Sequence, residues 1–431
     1  MSTPRLLAIM GSGETTPTMA KTHRQLFERL GPPPVPAVVV GTPYGFQMNA
    51  ADISSRTVGY FQESVGRQVA VASLARLDGA DPVEVESDLA AIAQAKWVFA
   101  GPGSPTYSLR QWRASPVPSL LAEKLAHGGC LVFASAAALT LGRWSVPVYE
   151  IYKVGEDPHW VEGLDLLSPF GLVVAVVPHF DNAEGGTHDT RYCYLGEQRL
   201  REMERRLPPE GWVLGVDEHT ALILDLGAGT ATVSGRGAVT LRHREAQAVL
   251  AAGETVAIGD LPRLAAGGRR PGSPGDRPVT PPVGGQPGGP PPGAAPPAAR
   301  SPLLEEVHRL EGVFQAALER RDATAATAAV LDLEATLHQW AADTFQSDEL
   351  DRGRAALRQM VARLGQAAGP GLSDPAAVAA PWVEALLGER EEARRERRFD
   401  DADRIRQRLS GLGVEVRDTP DGTEWLLPAH Q

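Results

Sequence analysis

The chain has 431 residues, of which 43% are hydrophobic and 22% charged, and it carries a formal net charge of −11 at pH 7. That length exceeds one ordinary core, so two domains are expected. The acidic balance argues against a general nucleic-acid binder while leaving room for a local basic patch. Two cysteines, Cys130 and Cys193, exclude a disulfide framework and fit a reducing compartment. No apolar run approaches the ~18 residues that span a bilayer. The run within MSTPRLLAIMGSG is also too short for a signal peptide. The expectation is a soluble cytoplasmic protein that makes no use of a membrane.

The first part of the chain alternates strand and helix signals. RLLAIM, PAVVVGT, QVAVASL, KWVFAG and CLVFAS are short apolar runs of strand length, each ending at or near Gly, Ser or Thr. Between them lie helix-like stretches at Thr18–Leu30, Met48–Val65, Val83–Ala95 and Pro118–His127. Continuous apolar strands alternating with helices predict an α/β fold, an open and mostly parallel sheet with helices on both faces. LVVAVVPHF predicts a further strand and Leu195–Arg206 a helix. TALILDL and GTATVSGRGAVTL alternate and carry Gly turns, as a hairpin or an addition at the sheet edge does.

From Leu261 to Pro302 the sequence is rich in Pro and Gly, with almost nothing to bury, and predicts a disordered linker. It divides a domain over 1–260 from a region over 303–431. In that region Leu303–Arg320, Thr324–Phe345 and Glu349–Leu364 have apolar residues at helical spacing and predict an all-α module. A strand, a turn at Pro420-Asp421-Gly422 and a second strand close the chain.

Ligands of open parallel sheets sit beyond the carboxyl ends of the strands. Those ends read MGSGET, GTPYG, AGPGSPTY, ASAAA and VPHFDN. Ser135 stands where an apolar strand meets an alanine run. It is either an ordinary packing or capping residue or a nucleophile on a sharp strand-to-helix turn. His179 ends another apolar run and should project at the same rim, where an imidazole serves as base to a serine. Glu218 is the first choice for the group that orients the imidazole, ahead of Glu150 and Asp181. Gly103 and Ala136 offer N–H groups for an oxyanion. MGSGET lacks the spacing of a phosphate-binding loop, and the scattered histidines offer no zinc pattern, so no metal or cofactor is expected.

The order of a Gly-rich first strand end, AGPGSPTYSL, the serine turn, PHF and DEHTAL resembles the cyanophycinase and aspartyl dipeptidase family. These are serine peptidases on a class I glutamine amidotransferase-like fold. The resemblance covers about residues 5–245. It implies Ser135 as nucleophile, His179 as base, Glu218 as third member, and Gly103 and Ala136 as oxyanion donors. It also implies a small, acidic peptide or amide as substrate. PHFDNAEGGTHDTR is similar to the dipeptidase segment after its histidine, which implies that His188 and Arg191 meet an acidic group. Phe133 and Ala137 stand where that family usually has glycine. This keeps open a non-catalytic ligand-binding or sensor protein with a degenerate pocket.

EEARRERRFDDADRIRQRLSGLGVEVRDTPDGTEW resembles the C-terminal end of cysteinyl-tRNA synthetases. Phe399 and Ala402 are expected to pack inside a helix-turn-helix, and Trp425 to close a hairpin. Arg394, Arg395, Arg397 and Arg398 form a basic cluster, either a solvated helix face or a contact to RNA phosphates. The synthetase signatures H-I-G-H and K-M-S-K-S are absent, so charging of tRNA is not expected. A tRNA-associated accessory factor is a further alternative. Expected partners are therefore a small peptide or amide, tRNA through the C-terminal module, and a second copy of the chain as a homodimer.

Overall fold

A computed structural model describes residues 3–184, 188–268, 301–341, 349–372, 375–419 and 422–427. Contacts divide the chain into two units, Met1–Val307 with Leu333–Arg354, and His308–Asp332 with Ala355–Gln431.

The first unit is α/β and contains two sheets. The larger has eight strands in the order Thr255–Ala257, Thr230–Gly235, Thr220–Asp225, Arg5–Met10, Gly129–Ala134, Trp97–Ala100, Ala37–Val40, Ala70–Ala72. From Arg5–Met10 to Ala70–Ala72 every pairing is parallel. The three strands on the other side are antiparallel additions. Arg5–Met10 is buried on both faces, which suits its unbroken apolar sequence. Its register sets Leu7 beside Leu131 and Met10 beside Ala134.

The expected helices form at Pro17–Leu30, Ala50–Tyr60, Pro82–Gln94, Val117–His127 and Gly196–Arg205. The stretch expected to run on to Val65 does so in wider turns from Phe61. Proline at the first helical position and an Asp81 side chain accepting from the Val83 N–H at 2.9 Å fix the start of Pro82–Gln94.

The smaller sheet was not expected. Its order is Ala246–Ala251, Ala238–His243, Trp212–Val216, Val174–Val177, Trp144–Ser145, Val161–Glu162. TALILDL and the first half of GTATVSGRGAVTL do form a hairpin on the larger sheet, with Leu222 opposite Val233. The second half, Ala238–His243, crosses to the smaller sheet beside Trp212–Val216. One core draws on both sheets, with Leu7, Val98 and Leu131 from one and Val176, Leu214 and Val239 from the other.

The stretch from Leu261 begins as structure. Leu261–Ala265 is helical, and Leu261, Leu264 and Ala265 are buried in that core. Three apolar residues spaced along LPRLA suffice to dock it, so the α/β unit extends past 260. Residues 269–300 lie outside the described residues.

Helices run over Pro302–Glu319, Ala323–Trp340, Glu349–Leu372, Pro375–Arg395 and Phe399–Gly411, before a hairpin of Glu415–Thr419 and Gly422–Leu426. Pro420 and Asp421 of the expected turn lie outside the described residues. In the second unit Val383, Leu387, Leu409, Val414 and Val416 form a small core, with Trp425 packed against it opposite Val416. Ala402 is buried, as expected, but Phe399 is 58% exposed. Phe399 opens its helix, and side chains of helices lean toward the N-terminus, so its ring projects past the end of the packed face. Arg390 is buried and donates through Nη1 and Nη2 to Asp418 at 2.8 Å each, pinning the hairpin to the helix Pro375–Arg395.

Among the described residues no helix is long and apolar enough to cross a membrane.

Candidate active site

Ser135 is the first residue after the strand Gly129–Ala134, and its φ of 49° puts the backbone in the left-handed region. A non-glycine residue held there at a strand-to-helix turn is strained, and such strain gathers at functional sites. Small neighbours make the turn possible. The Ala137 N–H donates to Gly101 O at 3.1 Å, and Ala136, Ala137 and Ala138 are all buried. Phe133 and Ala137 turn into the core, where the Phe133 ring lies 5.9 Å from that of Trp112. Neither lines the cleft at the strand ends.

His179 follows Val174–Val177 and Pro178, also with positive φ, 47°. Its carbonyl accepts from the Cys193 and Asn182 N–H groups at 3.1 and 3.2 Å. This tight loop aims the imidazole across the rim, and Nε2 lies 2.9 Å from Ser135 Oγ. On the other side Nδ1 lies 2.8 Å from Glu218 Oε1. Glu218 sits in the short passage between Trp212–Val216 of the smaller sheet and Thr220–Asp225 of the larger. Its carboxylate also accepts from Asn182 Nδ2 at 3.2 Å, and its N–H donates to Asp181 Oδ1 at 2.7 Å. The structure thus brings Ser135, His179 and Glu218 into one hydrogen-bonded line.

The electrostatics strengthen the imidazole as a base. Burial alone pulls the His179 pKa down, but the Glu218 hydrogen bond and the charges of Glu218, Glu14 and Glu184 raise it above its ordinary value. Burial pushes Glu218 up, and His179 and Asn182 more than reverse that, leaving it below the usual carboxylate range. Glu218 is therefore an anion, and Nδ1 carries the proton between them. Nε2 is left to accept from a hydroxyl.

The other two acids considered have different partners. Glu150 accepts from Thr106 Oγ1 at 2.7 Å, and Asp181 supports the Glu218 backbone. Gly103 lies in the loop after Trp97–Ala100 with φ 139°, and a Cβ there would fall 1.9 Å from Pro43 O. Only glycine lets these two loops meet. Gly103 and Ala136 line the same cleft as Ser135 and His179.

His188 also lines the cleft, its ring stacked 6.4 Å from that of Tyr152. Arg191 does not. Its Nε and Nη2 donate to Asp189 at 2.8 Å each, and its guanidinium lies over Tyr192. A short-range carboxylate two residues away holds it as a local clamp, so the expected contact to substrate has no geometric support.

Sequence reasoning missed three neighbours. Asn182 secures Glu218. Tyr194 lines the cleft and donates its hydroxyl to Glu184 at 2.7 Å. Glu14, in MGSGET, is buried in the cleft wall. Position at a strand end was the available signal for Glu14 and Asn182; nothing local marked Tyr194. Cys130 and Cys193 are buried free thiols. Among the described residues no group of three or more His, Cys, Asp or Glu is arranged to hold a metal.

In the basic cluster of the C-terminal module, Arg394 pairs with Asp418 at 3.0 Å and Arg398 with Glu396 and Asp401 at 2.7 and 2.8 Å. Arg395 and Arg397 are exposed.

Residues 379–425 match the family described as the cysteinyl-tRNA ligase anticodon binding domain. A cysteine–tRNA ligase of Desulfovibrio desulfuricans is 56% identical over 47 residues, covering 11% of this chain and 10% of that protein. That of Persephonella marina is 54% identical over 43 residues, covering 10% of this chain and 9% of its own. The chain thus spans about a tenth of the length of these curated relatives. Among solved structures, a peptidase from an acI-B1 Actinobacterium aligns with 22% identity and a TM-score of 0.48, covering 59% of this chain and 97% of that one.

Proposed function

We propose that the α/β unit is a serine hydrolase of peptidase type, acting in the cytoplasm on a small peptide or amide. The observation that carries this reading is the line from Ser135 Oγ to His179 Nε2 at 2.9 Å and from His179 Nδ1 to Glu218 at 2.8 Å. Ser135 Oγ attacks the carbonyl carbon while Nε2 takes its proton. Glu218 stabilises the imidazolium. The N–H groups of Gly103 and Ala136 face the oxygen that becomes negative. When the tetrahedral centre collapses, His179 returns the proton to the leaving amine. Water then repeats the cycle on the acyl-serine and releases the acid. Small acidic peptides are the first substrates to try, with His188 at the cleft the residue placed to meet the acidic group.

A fluorophosphonate probe tests the reading. Labelling of the wild type that disappears in Ser135→Ala supports it. A folded wild type that does not label refutes it and favours a ligand-binding or sensor role.

A second reading concerns the C-terminal module, because residues 379–425 match an anticodon-binding family. The module contacts tRNA, with Arg395 and Arg397 as the phosphate contacts available and Arg394 and Arg398 already engaged by acids. A mobility shift with bulk tRNA at physiological salt should weaken as salt rises. It should also fall when Arg395 and Arg397 become Ala. No shift at low salt refutes this reading. Light scattering of the full chain checks the homodimer.

A further inference from the structure

The cleft at Ser135 encloses about 720 Å³, room for a ligand of drug size rather than a single side chain. One wall is a row of aromatic rings. The Tyr152 ring lies 6.4 Å from that of His188, tilted by 17°, and 5.0 Å from that of Tyr194. The Tyr194 ring in turn lies 6.4 Å from that of His179. The row thus leads down to the base beside the nucleophile. Arg56, Lys153 and Arg354 are exposed at the same cleft. Lys153 Nζ lies 5.0 Å from the centre of the Tyr152 ring. A second groove shares Arg56, Ala341 and Arg354 with the cleft and adds Arg24, with Glu63 as the opposing charge. Asp52 and Asp351 pair with Arg56 and Arg354 at exposed positions, where an ion pair holds a guanidinium only weakly. Glu184, the acid beside the aromatic row, is engaged by the Tyr194 hydroxyl. Aromatic faces flanked by cations along a groove suit a single-stranded nucleic acid, whose bases stack on the rings while its phosphates meet the charges.

We propose that the cleft takes an amino acid held as an ester on the 3′ end of tRNA, and that the protein removes it. The inference rests on both readings above, the hydrolase and the tRNA contact by the module that matches an anticodon-binding family. The substrate class that uses both in one chain is an acyl group carried by tRNA. The 3′ end of tRNA is unpaired, so its bases are free to stack on aromatic side chains. The terminal adenosine stands next to the ester, so its receptor must begin beside the nucleophile, as the ring of Tyr194 does. Phosphates of the preceding nucleotides fall to Lys153, Arg56 and Arg354. The mechanism of the hydrolase reading is kept, with a ribose hydroxyl in place of an amine as leaving group. Ser135 Oγ bonds to the ester carbonyl carbon while its proton passes to His179 Nε2. The bond from that carbon to the ribose oxygen breaks, and His179 returns the proton to the ribose. Water, deprotonated by His179, then attacks the acyl-serine. The amino acid leaves and the Ser135 hydroxyl is restored, with no oxidant or nucleotide consumed.

The test uses the full chain and bulk tRNA charged with a mixture of the radiolabelled coded amino acids. The expected result is release of at least one amino acid about tenfold or more faster with wild type than with Ser135→Ala. For that aminoacyl-tRNA, kcat/KM should exceed by about tenfold or more the value for the methyl ester of the same amino acid, because the tRNA adds stacked bases and phosphate contacts. Tyr152→Ala should raise KM about tenfold, the worth of one stacked base, with folding checked by thermal unfolding. Labelling by a fluorophosphonate without release of any amino acid overturns the proposal and leaves the hydrolase reading standing. So does a methyl ester cleaved as well as the aminoacyl-tRNA, or an unchanged KM in folded Tyr152→Ala. If Tyr152→Ala fails to fold, the methyl ester comparison decides. A wild type that neither labels nor deacylates removes the hydrolase reading, and this proposal with it.

Discussion

Replacing Glu218 by Gln keeps the size of the side chain and removes one charge. Glu218 Oε1 lies 2.8 Å from His179 Nδ1, with 20% and 5% of the two side chains exposed, so water screens the pair weakly. Unit charges centred about 4 Å apart attract by about 4 kcal/mol at an effective dielectric near 20. The imidazolium formed as Ser135 gives up its proton loses that attraction in the variant. At about 1.4 kcal/mol per power of ten, acylation slows roughly a thousandfold. The pH profile moves as well. Burial lowers the His179 pKa and Glu218 is the first influence that raises it, to a net position above 6.5. A base must be neutral to accept a proton, so wild-type reactivity is lost as pH falls through that raised value. In Glu218→Gln the acid limb shifts to lower pH while the plateau drops. The assay is the second-order rate of fluorophosphonate labelling between about pH 5 and 9, with a thermal melt to certify folding. A folded variant within tenfold of wild type, its acid limb unmoved, refutes the reasoning.

Three further outcomes are expected. Gly103→Ala forces a Cβ to 1.9 Å from Pro43 O, displaces the loop and should cut labelling about a hundredfold, the worth of one oxyanion donor; a loss under threefold refutes the assignment. Burial, together with the charge of Asp181, pushes Asp217 up to about 7. A raised carboxyl contributes stability that is fully present below its unfolded pKa and lost as pH rises through the folded one. Asp217→Asn should therefore gain on wild type in urea midpoint between about pH 5 and 8, and a gain that instead shrinks with pH counts against this. Arg390→Ala removes its own two donations to Asp418, leaves Arg394 at 3.0 Å, and should cost about 2 kcal/mol, discounted because Asp418 is partly exposed. Trp425 fluorescence during urea unfolding reports it, and an unmoved midpoint contradicts the pinning role.

Periodic apolar runs made the central strands and their helices legible, because a strand buried on both faces has no choice of residue. The serine, histidine and glutamate were legible as positions at strand ends. Their convergence at one rim was expected from those positions, but not that His179 rides on a second sheet, whose strands, such as Trp144–Ser145 and Val161–Glu162, are too short to carry a pattern. Ala238–His243 read as a continuation of one hairpin, yet it leaves the larger sheet for the smaller one. Arg191 looked like an anion receptor from its charge, but charge alone does not show that Asp189 is already in its grip. Glu14 was hidden by its setting in a glycine-rich string, where the glycines draw attention to phosphates rather than to the acid beside them.

Asp217, Glu218 and His219 carry the chain from one β-layer to the other, while Ser135 and His179 ride on different layers. The hydrogen-bonded line of Ser135, His179 and Glu218 is therefore a bridge across a seam, and its spacing gauges the fit between two slabs. Warming or mild cosolvent that lets the slabs slip by an ångström should extinguish the proposed fluorophosphonate labelling of Ser135 while circular dichroism still records an intact molecule.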